Sequence, residues 1–160
     1  VLKGKQMVRG DEIREDDFHL VVHICIFKSK GEMLIQKRQS FKEGWPGMWD
    51  ITVGGSAVAG DDSVGAADRE VFEEIGLELD LKKERPFLTV HFDKGFDDIY
   101  LVTEDVDLNA LNLQYEEVCE VKWASCEKIL GMIDEAAFIP YKKNIIELLF
   151  ELRLKRGVLE

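Results

Sequence analysis

Glu70, Glu73 and Glu74 are the residues of this chain whose type and spacing point most directly to chemistry. They stand at i, i+3 and i+4 of a segment in which Val64, Ala67, Val71 and Ile75 recur at helical spacing. The pattern predicts a helix with one apolar stripe for packing and a separate, solvent-facing acidic stripe. Like charges one turn apart oppose helix formation by roughly 0.2 to 0.5 kcal/mol per i,i+4 pair. A divalent cation removes that cost, and Mg²⁺ in particular takes carboxylate and carbonyl oxygens, with substrate phosphates completing its shell. Upstream, Gly54 and Gly55 offer the close backbone approach such a site needs. For three glutamates alone, a solvated acidic face is the competing reading. Asp61 or Asp62 is placed to cap the helix start, and Gly76 to end it in a left-handed conformation.

The stretch from Gly55 to Leu77 resembles the signature of the Nudix hydrolases. That signature is a Gly, five residues, a Glu, seven residues, and then Arg-Glu-aliphatic-x-Glu-Glu-x-Gly-aliphatic. Here Gly55, Arg69, Glu70, Val71, Glu73, Glu74, Gly76 and Leu77 match at the specified spacing, and Asp61 stands one methylene short of the family's first Glu. The resemblance implies an α/β fold, the Nudix fold: an α/β/α sandwich with a central mixed sheet. It also implies a pyrophosphohydrolase that cleaves a nucleoside diphosphate linked to a further group, or a similar organic diphosphate, with Mg²⁺, or Mn²⁺ in its place, as cofactor. Carried over residue by residue, the metal set is Glu70, Glu73, Glu74 and the backbone carbonyl of Gly54. Arg69 orients the carboxylates, and Asp61 joins the same charge network. Glu117, entering a later strand, is the candidate for a further metal ligand or general base, with Glu116 and Glu120 as competitors. A basic residue at the end of the second strand, Lys37 or Arg38, is expected at substrate phosphate. The following loop with Trp45 reads either as a flank of the substrate pocket or as a hydrophobic lid over the core.

A second resemblance runs through Phe18-His19-Leu20, the Gly44-Trp45-Pro46-Gly47-Met48-Trp49 loop and Glu117-Val118, which look like isopentenyl-diphosphate isomerase, itself of Nudix fold. Yet Gly54 stands where that family has its catalytic Cys, and Ser56 where it has a metal-binding His. The hydrolase residues are kept and the isomerase residues are absent, so an isomerase-like enzyme ranks below a hydrolase. A catalytically silent Nudix ligand-binding domain is the other alternative.

The elements that must position these residues follow from hydrophobic pattern. His19 to Phe27 is continuously apolar enough to be a strand covered on both faces. A polar turn then leads into a strand over 32–38. His19 and His23 lie about 13 Å apart along one strand face at roughly 3.3 Å per residue, too far to share one ion. Alternation sends Lys37 and Arg38 to opposite faces, so at most one points at the site. A short strand over 51–53 delivers the chain into a Gly-Gly turn and the motif helix. Segments 87–92 and 99–103 read as a hairpin across Asp93 to Asp98. After a polar connection over 108–117 comes a strand with Cys119, Val121 and Trp123 on one face. Ser125 caps a helix reaching about Ile133, and Tyr141, Ile145, Leu149 and Leu152 mark a final helix with Pro140 near its first turn. Residues 1–17 read as an exposed entry or a frayed edge strand.

The chain of 160 residues has room for one ordinary core and no composition break, so residues 1–160 are expected to form a single domain. A formal net charge of -11 disfavours a nucleic acid polymer as partner, since phosphate backbones reward a basic surface. The expected partner is a small phosphorylated substrate, with no membrane contact and with a homodimer allowed. Cys25, Cys119 and Cys126 form no CxxC pair, which reads as reduced thiols in a cytoplasmic protein.

Overall fold

The computed structural model describes residue 8 and residues 12–154. Seven strands and three helices follow in the order β1 (His19–Phe27), β2 (Met33–Arg38), β3 (Trp49–Asp50), β4 (Val53–Ser56), α1 (Ser63–Ile75), β5 (Leu88–Phe92), β6 (Gly95–Thr103), β7 (Val118–Ala124), α2 (Cys126–Asp134) and α3 (Lys143–Leu152), with a 3-10 turn at Leu108–Ala110. The sheet is mixed: β1 runs parallel to β6 over its whole length, and every other pairing is antiparallel.

β1 and β2 begin as a hairpin but pair only at Phe27 and Met33. Beyond that they diverge, β1 toward β4 and β2 toward β3 and β7. The gap is closed by one side chain, the buried Thr52. Its hydroxyl accepts from the Ile26 N–H at 2.9 Å and donates to the Leu34 carbonyl at 2.5 Å, satisfying two backbone groups the divergence would leave bare.

Strand alternation sorts the core into two layers. Val22, Ile24, Ile26, Leu34 and Val53 pack under Ala66, Ala67, Val71 and Ile75 of α1. Cys25, Phe27, Met33 and Ile35 face Ile129 and Met132 of α2 and Ile146, Leu149 and Phe150 of α3. Helices on both faces of a mixed sheet make the expected α/β/α sandwich. Among the described residues no helix is long and apolar enough to cross a membrane.

Three expected boundaries are corrected. Gly54 and Gly55 form no turn: they lie within β4, paired with His23 and Val22 of β1. The hairpin loop shrinks to Asp93 and Lys94, because β6 extends back to Gly95 in register with His19 and so carries Asp97 and Asp98 on a strand. α3 starts at Lys143, after Tyr141, since the preceding chain is held extended by a bridge from Trp49 to Phe138 and the Tyr141 hydroxyl donates to Asp50 at 2.8 Å. Of the N-terminal stretch, residues 12–17 form no strand, and most of residues 1–11 lie outside the described residues.

Candidate metal and active site

α1 is fixed at both ends by local chemistry. The Asp62 carboxylate accepts from the Gly65 N–H at 2.8 Å, and Gly76 closes the helix with φ of 68°, its N–H bonded to the Phe72 carbonyl. Capping therefore falls to Asp62, which frees Asp61 for another partner. The Arg69 guanidinium donates to Asp61 Oδ2 through Nε at 3.1 Å and Nη2 at 2.9 Å, to the Ser56 carbonyl at 3.1 Å, to Glu70 Oε1 at 2.9 Å and to Glu73 Oε2 at 3.0 Å. One planar cation thus ties the end of β4 to the start and middle of α1. Burial opposes the charge on Arg69, but the bonds to Asp61, Glu70 and Glu73 outweigh it and hold the proton more tightly than usual.

The acidic stripe does not face solvent as a unit. Glu73 is half exposed, at 49%, and the Glu70 side chain keeps 13%, whereas Glu74 is buried at 5%. At about 100° per residue Glu74 lies only some 20° from Ala67, so it sits on the edge of the apolar stripe and turns inward when that stripe docks. Its Oε2 accepts from Gln36 Nε2 at 2.9 Å. Burial is the main reason its pKa is pushed up to about 8; the Gln36 bond opposes that rise, and the negative charges of Glu70, Glu117 and Asp50 add to it. Burial likewise raises Glu70, against the pull of Arg69 and with repulsion from Glu73 and Glu117.

Glu117 reaches this neighbourhood through the end of α1. The Glu74 carbonyl accepts from the Gln114 N–H at 2.9 Å, and the Gln114 carbonyl accepts from the N–H groups of Glu117 and Val118 at 3.0 and 2.9 Å. From the other side the loop between β2 and β3 closes over it: Gln39 N–H donates to the Glu117 carbonyl at 3.0 Å, and Lys42 pairs with Glu117 Oε2. Glu70, Glu74 and Glu117 are each held by one oxygen, by Arg69, Gln36 and Lys42 respectively. No hydrogen bond among the described residues engages the other oxygen of any of the three.

Adjacent glycines frame the site from two sides of β4. A Cβ at position 55 would overlap the Glu70 carboxyl, and one at position 54 would overlap the ring of His23. His23 alternates with Val22 and Ile24 and so lies on the sheet face away from α1. There its Nδ1 meets Asp97 Oδ1 at 2.7 Å; burial opposes its protonation, but Asp97 prevails and the pKa is raised.

Among the described residues no three His, Cys, Asp or Glu side chains already stand as a ready cluster for an ion. Three observations nonetheless fit a hard divalent cation. The donor set is carboxylate and carbonyl oxygen, the glycine at 55 leaves Glu70 lying on bare backbone, and the buried Gln36 Oε1 has no hydrogen-bond partner.

The other expected contacts are more scattered. Arg38 donates through Nε to the Gly44 carbonyl at 3.0 Å and pairs through Nη1 with Asp50 at 3.3 Å. The Lys37 ammonium lies 6.0 Å from the Trp49 ring centre, on the opposite side of the strand as alternation requires. Trp45 is 50% exposed with a positive φ of 51°. Spacing does not single out Gln36, Lys42 or Asp97, and it marks Tyr141 only as a position of the final helix. Only Gln36 carries a sequence signal, an amide closing the apolar run Met33–Ile35.

A NUDIX domain model matches residues 17–149. The chain belongs to the Nudix family. An uncharacterized Nudix hydrolase of Listeria innocua is 46% identical over 152 residues, covering 95% of this chain and 89% of that protein. A crystal structure of DR0079 from Deinococcus radiodurans superposes with a TM-score of 0.70 at 22% identity, covering 91% of this chain and 89% of that one, and shows the same fold. An isopentenyl-diphosphate Delta-isomerase of Shigella flexneri is similar at 27% identity over 135 residues, covering 77% of this chain and 71% of that protein. This Nudix protein is an enzyme, a pyrophosphohydrolase, acting on small phosphorylated substrates.

Proposed function

We propose that residues 1–160 form one Nudix domain that hydrolyses the pyrophosphate bond of a nucleoside diphosphate linked to a further group, or of a similar organic diphosphate, with Mg²⁺ or Mn²⁺ as cofactor. The observation that carries this reading is the burial of Glu74 within charge range of Glu70 and Glu117, each with one oxygen left without a partner. Glu70, Glu73, Glu74, Glu117 and the Gly54 carbonyl would hold the cation. Once bound, it supplies charge neutralisation on the pyrophosphate and a water of lowered pKa.

Every other task falls to side chains. Arg69 keeps Glu70 and Glu73 in fixed rotamers by binding one oxygen of each. Where its free oxygen is not on the cation, Glu117 is instead the base that accepts the proton of the attacking water. Arg38 meets substrate phosphate through its Nη2, which no hydrogen bond among the described residues engages, while Nε and Nη1 anchor it to Gly44 and Asp50. Trp45, exposed in the loop after β2, lines the approach, whereas Lys37 lies on the opposite side of β2 beside Trp49.

The test is a screen of nucleoside triphosphates, dinucleoside polyphosphates, nucleotide sugars and isoprenoid diphosphates, scoring phosphate or pyrophosphate products with Mg²⁺ and with a chelator. Metal-dependent hydrolysis of at least one class is expected. Isopentenyl and dimethylallyl diphosphates should not interconvert, because Gly54 has no side chain to deliver a proton. Isomerisation without hydrolysis would replace the proposal with an isomerase-like one.

A further inference from the structure

Gln36 is the one buried polar side chain of β2, 3% exposed and in line with Leu34 on the face that α1 covers. Its position is expensive. A buried amide with an unpaired atom is destabilising, and Gln36 Oε1 is buried with no partner. Leu or Met in its place would fill the same volume without that penalty. What the amide does instead is reach from the sheet to the last turn of α1, where Nε2 donates to Glu74 Oε2 at 2.9 Å.

We propose that Gln36 is a positioning residue for the metal site: by binding one oxygen of Glu74 it fixes the carboxylate's rotamer and decides which oxygen Glu74 offers to a divalent cation. The inference rests on the reading of Glu74 as a ligand given above. A buried glutamate without this donor has three side-chain torsions to settle and no polar group to settle them against. Groups that hydrogen-bond a metal ligand orient it, and their loss costs roughly tenfold to a hundredfold in metal affinity. The unpartnered Oε1 is a second polar atom buried at the same spot, an acceptor with no donor among the described residues, as a cation's hydration shell would supply.

The experiment is Mn²⁺ binding to the full chain, measured by electron paramagnetic resonance without substrate, for wild type, Gln36→Leu, Gln36→Met and Glu74→Gln. Gln36→Met should raise Kd by about ten- to a hundredfold with the urea midpoint unchanged or higher, and hydrolysis should recover at saturating Mn²⁺. A folded Gln36→Leu or Gln36→Met protein whose Kd stays within about twofold of wild type overturns the proposal, as does a fall in stability with no change in Kd. Gln36→Asn keeps the amide but falls one methylene short, so it reports the same way if both apolar variants unfold. Glu74→Gln separates the two ideas. If it binds Mn²⁺ as tightly as wild type, the metal-site reading fails; if it loses binding while Gln36→Met keeps it, only the role of Gln36 falls.

Discussion

Two polar groups sit near β4, and they are balanced differently. Around Arg69, five carboxylates from Asp61, Glu70, Glu73, Glu74 and Glu117 share two cations, Arg69 and Lys42. In the second group Asp97 holds His23, whose pKa it raises, and Asp50 accepts from the Tyr141 hydroxyl, the Ile51 N–H and Arg38. The second group is close to neutral, as buried ions must be when nothing else compensates them. The first carries an excess of negative charge in a half-buried setting, which a fold tolerates when a missing cation completes it. Balance, more than the number of acids, marks the functional side.

If that contrast is right, removing an acid from each group has unequal results. Glu70→Gln or Glu74→Gln should lower metal-dependent turnover by about a hundredfold or more, with the fold kept. Asp97→Asn should lower it by less than about tenfold while costing stability, because it strands the buried His23. Steady-state rates on the best substrate of the screen decide the matter, and equal losses in the two groups would erase the distinction.

The adjacent glycines give a finer version of the same test. A methyl at position 55 overlaps the Glu70 carboxyl and must displace it, so Gly55→Ala should raise the Mn²⁺ dissociation constant by about tenfold. At position 54 the methyl meets the His23 ring instead, so Gly54→Ala should change the imidazole titration seen by NMR while affecting Mn²⁺ affinity less. Similar metal affinities for the two variants would show that the faces of β4 are not separate.

A separate effect is on pH-dependent stability without metal. Glu74 is raised from 4.5 to about 8 in the folded state, chiefly by burial. A folded pKa above the unfolded one means the native state holds the proton more tightly. Its contribution is therefore fully present below about pH 4.5 and lost as pH rises toward 8. His23, also raised, acts in the same direction above the ordinary imidazole value of about 6.5. Urea midpoints in a chelator should thus fall between pH 5 and pH 8. Glu74→Gln should flatten the part of the fall below pH 6.5, and saturating Mg²⁺ should reverse it by binding the ionised form. A midpoint that rises over this range in the chelator would put Glu74 in a wetter place than the structure does.

Much of this was legible from residue order. The run His19–Phe27 is a strand to the residue, because a strand covered on both faces keeps apolar residues at successive positions and only His19 and His23 interrupt it. The spacing of Val64, Ala67, Val71 and Ile75 defined α1, and Gly76 ended it, since both depend on contacts within a turn or two. The order of residues around Arg69 likewise pointed to the family and marked the carboxylates as candidates. Local periodicity could not say how far each carboxylate is buried, because that depends on how α1 is rotated against the sheet. Glu74 and Gln36 are 38 positions apart and meet only because β2 runs under the end of α1. Lys42 meets Glu117 only because the loop after β2 lies against the entry to β7. Residue order alone sets which elements form and which acids are candidates, because those follow from neighbours along the chain. Which oxygen each acid keeps free, and what holds the other, was decided by tertiary structure, because hydrogen bonds between a helix and a distant strand leave no mark on local spacing.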